Sequence, residues 1–447
     1  MSTINSTQLL KIYDSIKTSF WFIPCLILLG TLLTCALLLL IDLHSALHRV
    51  QWLNFIYHSD ANIIRSLLTT IASSVMTVVS ITFSITIVAL TNASSQFGPR
   101  LIRNFMEDIS TQVVLGVFVS LFVYCLILTR MTDNFAEQLF LPGLAITGAA
   151  LMTLFGILLL IYFIHHVALN LQSDHIIDNV YLELQHSTRK IFEQQKEKEK
   201  EKEKESTHQG HHEAIKATLS LPLKSPQCGY IQAINYDVLT ALMSQLNGYI
   251  EVVVAPGDFV VKRQITMHSS IKMLSTVDEK SLHDCFTFGS KRTPIQDPEF
   301  AVDQLVEIAL RALSPGINDP YSAIACVDKL SAMICELTQD KFPQGIAFDQ
   351  KGVKRLDYKV ASFEGLANTA YDQIRQHSQS CLAVCLRQLE GLIRISEQAY
   401  EPAHWSFIRH QKHMIEHGLK QQAFIDLDRE KINCRLQKLN KRLPSDG

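Results

Sequence analysis

The second of the chain's long apolar segments carries an ordered row of hydroxyl side chains. Five of its nine Ser and Thr residues recur at alternating steps of three and four: Thr70, Ser73, Thr77, Ser80 and Ser84. That spacing places them on one face of a helix. Two interpretations stay open. The row lines a polar path for a solute or an ion, or it packs against another helix through hydrogen bonds worth roughly 1 kcal/mol each.

A second polar group surrounds two successive helix starts. Asp297-Pro298 and Asp319-Pro320 each place an acceptor side chain at the N-cap and a proline at the first helical position. Cations and amides lie nearby, and helix N-termini attract anions. The candidate anion-binding residues are Arg292, Gln296, Arg311, Asn318 and Asp319. The alternative is plain capping together with an ion pair between an arginine and a carboxylate.

A third group follows the hydroxyl row, where Gly98-Pro99 ends the helical pattern before a short amphipathic segment. Gln96, Arg100 and Arg103 are candidates for a gate or for an interface with the soluble part of the chain. The alternative role for the two arginines is anchoring, because their side chains reach lipid phosphates from the end of a span.

The sequence contains no recognised motif for catalysis, metal binding or cofactor binding. GxSxG, P-loop, HExxH, GxGxxG and CxxC patterns are all missing. Of the ten cysteines, Cys381 and Cys385 share a helical face, and we interpret them as buried thiols rather than half a metal site. A net charge of −2, with no basic stripe among aromatics, argues against nucleic-acid binding. We therefore predict no catalytic residue, no metal and no cofactor.

The elements that position these groups divide the chain into an apolar part and a charged part. Hydrophobic residues make up 47% of the 447 residues and concentrate before His165. A membrane span needs about 20 apolar residues, with a range of about 17 to 25. Four segments meet this requirement without Asp, Glu, Lys or Arg: residues 20–41, 67–90, 113–129 and 141–164. Residues 1–170 therefore predict an α-helical integral membrane domain of four transmembrane helices.

The rest of the chain predicts a mixed α/β and then α-helical soluble domain. Residues 171–227 predict a helical extension and a charged disordered linker, because strict Lys-Glu alternation from Lys196 to Glu205 puts like charges at every i,i+4 position. Residues 228–290 alternate apolar and polar side chains around turns and predict a small β-rich module. Residues 291–447 predict the amphipathic helices of an α-helical cytoplasmic domain.

Four spans put both termini on the same side of the membrane, and flanking cations help to choose that side. These cations are Lys11, Lys17, Arg100 and Arg103 on the terminal side and Arg49, Arg65 and Arg130 on the other. The count of flanking cations, four against three, favours cytoplasmic termini by a narrow margin. The lack of a disulfide pattern and the Arg189-Lys190 pair after the fourth span also favour cytoplasmic termini.

Several long stretches of the sequence resemble a known bacterial family. They are SITFSITIVALTNASSQFGPRLIRNF, QVVLGVFVSLFVYCLILTR, GYIQAI from Gly229, PGDFVV from Pro256, Arg292-Thr293 to Gln296-Asp297, and IALRALSPGINDPYSAI from Ile308. The chain is similar to the predicted membrane proteins catalogued as domain of unknown function 2254, over nearly all its length except the Lys-Glu insert. The resemblance implies the membrane architecture and an inner-membrane location, and no established activity. One departure is Arg263, where the family usually has glycine after the PGDFVV turn.

Three classes of function remain. The first is a channel-like or transport protein, a homo-oligomer whose helices surround a path in the lipid bilayer while the cytoplasmic domain gates it or binds a small anionic ligand. The alternative is a non-transporting membrane sensor or scaffold. The third, an enzyme, has no motif to support it. The spans carry no charged residue, which argues against a proton pump or a carboxylate-coupled transporter.

The topology gives a first testable prediction: the termini are cytoplasmic, and the loops near Trp52 and Asn134 are external. A membrane-impermeant thiol reagent added outside should label Asn134→Cys and leave Gly210→Cys unlabelled. The reverse labelling pattern would show that the orientation is inverted.

Overall fold

The computed structural model describes residues 21–44, 61–98, 108–136, 142–170, 172–205, 221–339 and 342–444. For residues 43–44, 132–136 and 190–205 it describes the backbone alone. The chain divides into two compact units, Met1–His175 and Ile176–Gly447. The predicted external loop at Trp52, the arginines Arg100 and Arg103, and the insert around Gly210 lie outside the described residues.

The described residues of the first unit form four long apolar helices. They are α1 (Phe22–His44), α2 (Ala61–Phe97), α3 (Ile109–Ala136) and α4 (Gly143–Asn170). Each is long and apolar enough to cross a membrane, so the prediction of four spans is confirmed. Because α2 has 37 residues, it is about 55 Å long at about 1.5 Å per residue and exceeds the hydrocarbon thickness of about 30 Å.

The central helix of this unit is α3, which packs against α1, α2 and α4. Its apolar stretch is 56% buried, whereas those of the other three helices are 11% to 17% buried. Two glycines permit close packing at its surface. A Cβ at Gly116 would lie 3.0 Å from Cα of Pro24 in α1, and one at Gly156 of α4 would lie 3.2 Å from the ring of Phe118.

A buried carboxylate ties the end of α1 to the start of α4. Asp42 is 2% exposed, and its two oxygens accept hydrogen bonds from the amides of Leu144 at 3.2 Å and Ala145 at 3.1 Å. The hydroxyl of Tyr124 in α3 donates to the carbonyl of Ala145 at 2.8 Å. The first amides of a helix have no partner within it, so Asp42 satisfies two groups that an apolar surrounding would leave unpaired.

The next helix, α5 (Ser173–Glu205), begins three residues after α4 ends and stays helical through Lys196–Glu205. This differs from the disordered linker that the sequence predicts for that segment. Lys and Glu are both good helix formers, and opposite charges at i,i+3 offset the like charges at i,i+4. A strand, β1 (Leu221–Lys224), also falls within the predicted linker. Its pairing partner lies some 40 residues later, beyond the reach of a local pattern.

Among the described residues of the second unit, eight strands form two sheets. After β1 they are β2 (Gly229–Ile234), β3 (Ile250–Val252), β4 (Phe259–Val260), β5 (Ile265–Ser269), β6 (Phe286–Gly289), β7 (Ile346–Phe348) and β8 (Lys354–Tyr358). The strand orders are β1-β5-β3-β8-β7 and β4-β2-β6. The parallel pair of β3 and β8 joins the predicted β-rich module to the region predicted as entirely helical. That region therefore supplies two strands as well as helices.

Eight helices complete the part of this unit that the structure describes: α6 (Tyr236–Gln245), α7 (Thr276–His283), α8 (Pro298–Ala312), α9 (Pro320–Leu337), α10 (Phe363–His377), α11 (Leu382–Ser396), α12 (Pro402–Lys420) and α13 (Asp426–Asn440). Both α8 and α9 begin at the prolines that the sequence indicates, after the caps Asp297 and Asp319. α8 packs against α9 and α10, and α11 packs against α9, α12 and α13.

The turn between β4 and β5 holds Arg263 in a backbone conformation that favours glycine. The backbone of Arg263 is left-handed, with φ of 71°, and its amide donates to the carbonyl of Ser225 at 2.9 Å. Glycine adopts this conformation at no steric cost, whereas other residues pay about 1 kcal/mol or more. The side chain of Arg263 is exposed.

We therefore expect Arg263→Gly to be neutral or to stabilise the protein by up to about 1 kcal/mol, because it removes the strain of a left-handed arginine. Lys262→Gly at the neighbouring exposed position, where φ is not positive, should cost about 0.5 to 1 kcal/mol. Chemical denaturation of the two variants measures both effects. Equal destabilisation by the two glycines would contradict the role assigned to this turn.

Candidate functional site

The hydroxyl row of α2 lies on the exposed side of the membrane unit. All five of its residues, from Thr70 to Ser84, are exposed. The buried residues of this helix include Ile64, Leu68, Ala72, Val75 and Thr82. At about 100° per residue, the centres of the two sets are about 180° apart around the helix. Among the described residues, no other helix of the unit covers the row, so a path along it would not lie inside one copy of the bundle.

Three hydroxyls of the row have hydrogen-bond partners on their own helix. Thr70 donates to the carbonyl of Ser66 at 2.7 Å, Thr77 to that of Ser73 at 3.1 Å, and Ser80 to that of Met76 at 3.0 Å. These are i−4 bonds, which let a hydroxyl side chain enter a membrane without a further partner. At these three positions the row therefore presents satisfied, weakly polar groups to whatever covers it.

The same face of α2 remains polar beyond the predicted span. Asn62, Ser66, Thr91 and Ser95 fall on it at the 3.6-residue period, and all four are exposed. These four residues lie outside the uninterrupted apolar segment that predicts the span, so the hydroxyl spacing within that segment does not include them. Two apolar side chains interrupt the face between Ser84 and Thr91: Ile87, 47% exposed, and Val88, 58% exposed.

The candidate anion-binding residues separate into two groups. Arg292 and Gln296 precede α8, whereas Arg311, Asn318 and Asp319 lie around its end. α8 has 15 residues, which corresponds to about 22 Å. The five side chains therefore do not converge on one ligand.

Each of the three side-chain nitrogens of Arg292 donates to a carboxylate. Its Nε and Nη2 donate to the two oxygens of Asp297 at 2.7 and 3.0 Å, and its Nη1 donates to Asp303 at 2.6 Å. Asp297 is 3% exposed and also caps α8 through the amide of Phe300 at 3.1 Å. Gly257 of the Pro-Gly-Asp turn faces this carboxylate so closely that a Cβ there would lie 2.3 Å from an Asp297 oxygen.

The electrostatics of this cluster follow from burial. Burial lowers the pKa of Arg292, but the hydrogen bonds and charges of Asp297 and Asp303 outweigh it and raise that pKa above its usual value. Burial raises the pKa of Asp297, opposed by Arg292 and by the Phe300 amide. Burial, and then the charge of Asp297, also raises the pKa of Glu299. The single guanidinium therefore bridges Asp297 and Asp303, and the carboxylates around it disfavour an added anion.

Three of the other four candidates also have side-chain partners within the protein: Gln296, Arg311 and Asp319. The amide side chain of Gln296 pairs with the backbone of Ile234 at the end of β2, accepting from its N–H at 2.9 Å and donating to its carbonyl at 3.2 Å. Arg311 pairs with Glu307 at 3.2 Å. Asn318 takes a left-handed backbone with φ of 50°. Asp319 caps α9 through the amides of Tyr321 and Ser322.

Of the candidate gate residues, the structure describes Gln96 alone, and its side chain is exposed near the end of α2. Arg100 and Arg103 lie outside the described residues. The gate or interface at these positions remains a prediction.

A polar cluster outside the site residues predicted from the sequence joins α3 to α4. Asp108, just before α3, accepts hydrogen bonds from the amides of Ser110 and Thr111, each at 3.2 Å, and from the Thr111 hydroxyl at 2.5 Å. Both of its oxygens also contact Nε2 of His166 in α4, at 3.1 and 3.0 Å. Tyr162, one turn earlier in α4, stacks on the His166 ring at 5.5 Å.

Two further contacts extend this cluster along α4. The Tyr162 hydroxyl lies 3.1 Å from the Ser110 hydroxyl, and the Asn170 amide nitrogen lies 2.9 Å from His166 Nε2. The spacing of Tyr162, His166 and Asn170 at i, i+4 and i+8 was the available sequence signal. Among the described residues, no group of three His, Cys, Asp or Glu side chains is arranged to hold a metal ion.

The two arginines of the proposed anion site should differ in their contribution to stability. Arg292→Gln leaves the buried Asp297 without its partner and should cost about 3 to 5 kcal/mol of unfolding free energy. Arg311→Gln breaks a half-exposed i,i+4 pair and should cost about 1 kcal/mol or less. Denaturation of the full chain, followed by fluorescence, measures both. Similar losses for the two variants would contradict this difference in burial.

Comparison with known proteins places the chain in a recognised family. The family described as Predicted membrane protein (DUF2254) matches residues 17–394. An uncharacterized protein of Mycobacterium bovis is 27% identical over 377 residues, which cover 82% of this chain and 70% of the relative. An uncharacterized protein of Mycobacterium tuberculosis has the same identity and coverage. No solved structure matches.

The family match spans all four apolar helices and both sheets of the second unit, and it ends within α11. It includes the hydroxyl row, the Arg292 cluster and the contacts of Asp108 with His166. The chain belongs to the family of predicted membrane proteins described as DUF2254.

Proposed function

We propose that this protein forms a channel-like or transport assembly in the bacterial inner membrane, with both termini in the cytoplasm. In this proposal, copies of the chain assemble so that the hydroxyl rows of their α2 helices surround a shared path. The supporting observation is the direction of the row, which faces away from the buried side of its own bundle.

The argument begins with what a lone bundle would expose to lipid. A lipid-facing surface needs only apolar side chains, and the outward face of α4 fits this, with Leu151, Leu154, Leu158 and Ile161 each more than half exposed. The outward face of α2 instead carries hydroxyls at every turn from Ser66 to Ser84. Ser and Thr concentrate where membrane helices meet other helices or water. The row is therefore better suited to a contact between copies than to lipid.

A path, rather than a dry seam, is favoured by the length of the polar face. From Asn62 to Ser95 it covers 33 residue steps, about 50 Å. That exceeds the hydrocarbon thickness of about 30 Å, so the face reaches both membrane surfaces. The interruption at Ile87 and Val88 would be an apolar ring in such a path, and hydrophobic constrictions of this kind close channels to water and ions.

The second candidate function is a non-transporting sensor or scaffold. One observation favours it: Thr70, Thr77 and Ser80 already donate to carbonyls of their own helix. Such hydroxyls also suit a water-free interface between two copies. Under this alternative the assembly remains, and the path is absent.

Thiol accessibility separates the two functions. In a background without native cysteines, Ser73→Cys, Thr77→Cys and Ser80→Cys should react with a small water-soluble thiol reagent, because the row faces water. Val75→Cys, on the buried face of α2, and Leu154→Cys, on the exposed apolar face of α4, are matched controls that should stay unlabelled. Subunit number is measured on the same samples in lipid.

Each result has one interpretation. Labelling of the row alone, in an oligomer, supports the path. An oligomer in which all five positions are silent indicates a dry interface and supports the sensor or scaffold. A monomer would contradict both functions as stated here.

A further inference from the structure

We propose that Asp108 and His166 form a proton-dependent latch between α3 and α4, which holds these two helix ends together more strongly when His166 is protonated. The latch consists of Asp108, Ser110, Tyr162, His166 and Asn170. The inference does not depend on the proposed path, because all its contacts lie within one copy of the first unit.

The chemistry of the latch is a competition for one nitrogen atom. Nε2 of His166 lies between the carboxylate of Asp108, which only accepts hydrogen bonds, and the amide nitrogen of Asn170, which only donates. An Nε2 that carries a proton satisfies Asp108, whereas a bare Nε2 satisfies Asn170. A neutral ring can adopt either state by changing its tautomer, but an imidazolium has the first state alone.

The two partners sit on different helices, so the choice has a structural consequence. A bond to Asn170 stays within α4, because the two residues are four positions apart. A bond to Asp108 joins α4 to the first turn of α3. Protonation therefore exchanges a contact within one helix for an ion pair between two helices. Histidine is the side chain that makes this change of charge between about pH 5 and 8.

Both helix dipoles strengthen the charged state. His166 lies near the C-terminal end of α4, where a cation is favoured, and Asp108 lies at the N-terminal end of α3, where an anion is favoured. Both side chains are 20% exposed, so the pair is screened less than a surface ion pair. The helix dipoles give no comparable stabilisation to a neutral His166 ring.

The ionisable neighbours of the latch are few among the described residues. α2 carries none between Ser66 and Phe97. In α4 they are Tyr162, which stacks on the ring, and His165, which is exposed. Asp174 and His175 follow in the first turn of α5. Asp42, Arg65 and Arg130 belong to the opposite ends of their helices.

A small cleft lies next to the latch, and the closed latch would seal it. Residues of α2, α3 and α4 line it: Thr82, Phe83, Thr86, Thr111, Val114, Leu115 and Phe163. Thr111 also donates its hydroxyl to Asp108, and Phe163 follows Tyr162 in the chain. The cleft thus begins directly at the latch. Release of Asp108 from His166 frees the end of the α3 and α4 seam and gives water access to these threonines.

Hydrogen exchange, read by mass spectrometry on the full chain in lipid nanodiscs, tests the latch at pH 5.5 and 8.0. The key variant is Asp108→Asn, which removes the charge, replaces one acceptor oxygen by a donor amide and keeps a good N-cap residue. The lost acceptor acts at both pH values, so the pH dependence of the exchange ratio reports the charge. His166→Gln removes the ring, and His165→Gln is the matched control on the same helix. Each variant is compared with the wild type at the same pH, so the intrinsic chemical rate of exchange cancels.

For peptides from the first turns of α3 and the last turns of α4, Asp108→Asn should exchange about 3- to 10-fold faster than wild type at pH 5.5, the size of a partly buried ion pair. At pH 8.0 the ratio should fall to about twofold or less. His166→Gln should show the same pH dependence, and His165→Gln should show none. A ratio for Asp108→Asn that is the same at both pH values would overturn the latch, as would an equal pH dependence in His165→Gln.

Discussion

In a bilayer, every backbone amide and carbonyl must find its hydrogen-bond partner within the protein, and the first unit is organised by this requirement. Within each helix, backbone amides and carbonyls bond to one another. Only the amides and carbonyls at the helix ends need side chains as hydrogen-bond partners. Two carboxylates meet that need. Asp42 caps α4, and Asp108 caps α3. Asp42 belongs to α1, and Asp108 also contacts His166 of α4. The same two residues therefore cap one helix and hold it against another.

This double use explains why the two carboxylates that join helices of the first unit, Asp42 and Asp108, lie at helix ends. Along their lengths the helices pack through glycines and apolar side chains, with α3 in the middle. At the ends, Asp108 gathers Ser110, Thr111 and His166, and Asp42 lies near Tyr124. A histidine added to a capping carboxylate makes the packing of two helices sensitive to a proton, which an apolar contact cannot be.

In the second unit, one arginine pairs with a buried carboxylate that caps a helix. Asp297 caps α8 while almost fully buried, and a buried carboxylate is costly unless it is paired. Arg292 supplies the pairing, and the glycine of the Pro-Gly-Asp turn lets the turn approach the same carboxylate. Gln296, one residue earlier, continues the hydrogen bonding of β2. Several stretches that carry the family resemblance therefore meet at this helix start for reasons of stability.

The sequence by itself determined the features that depend on local composition and spacing. Runs of apolar residues predicted four spans, Asp-Pro pairs predicted the starts of α8 and α9, and the period of the hydroxyls placed them on one face of α2. Only the tertiary structure decided that this face points away from the bundle, that Arg292 and Arg311 stand at opposite ends of α8, that β8 pairs with β3, and that Asp108 meets His166. Periodicity shows which residues share a face, but what covers that face depends on helices and strands distant in the chain. The contact between Asp108 and His166 spans 58 positions, and no local pattern encodes such a contact because it exists only after the helices have packed.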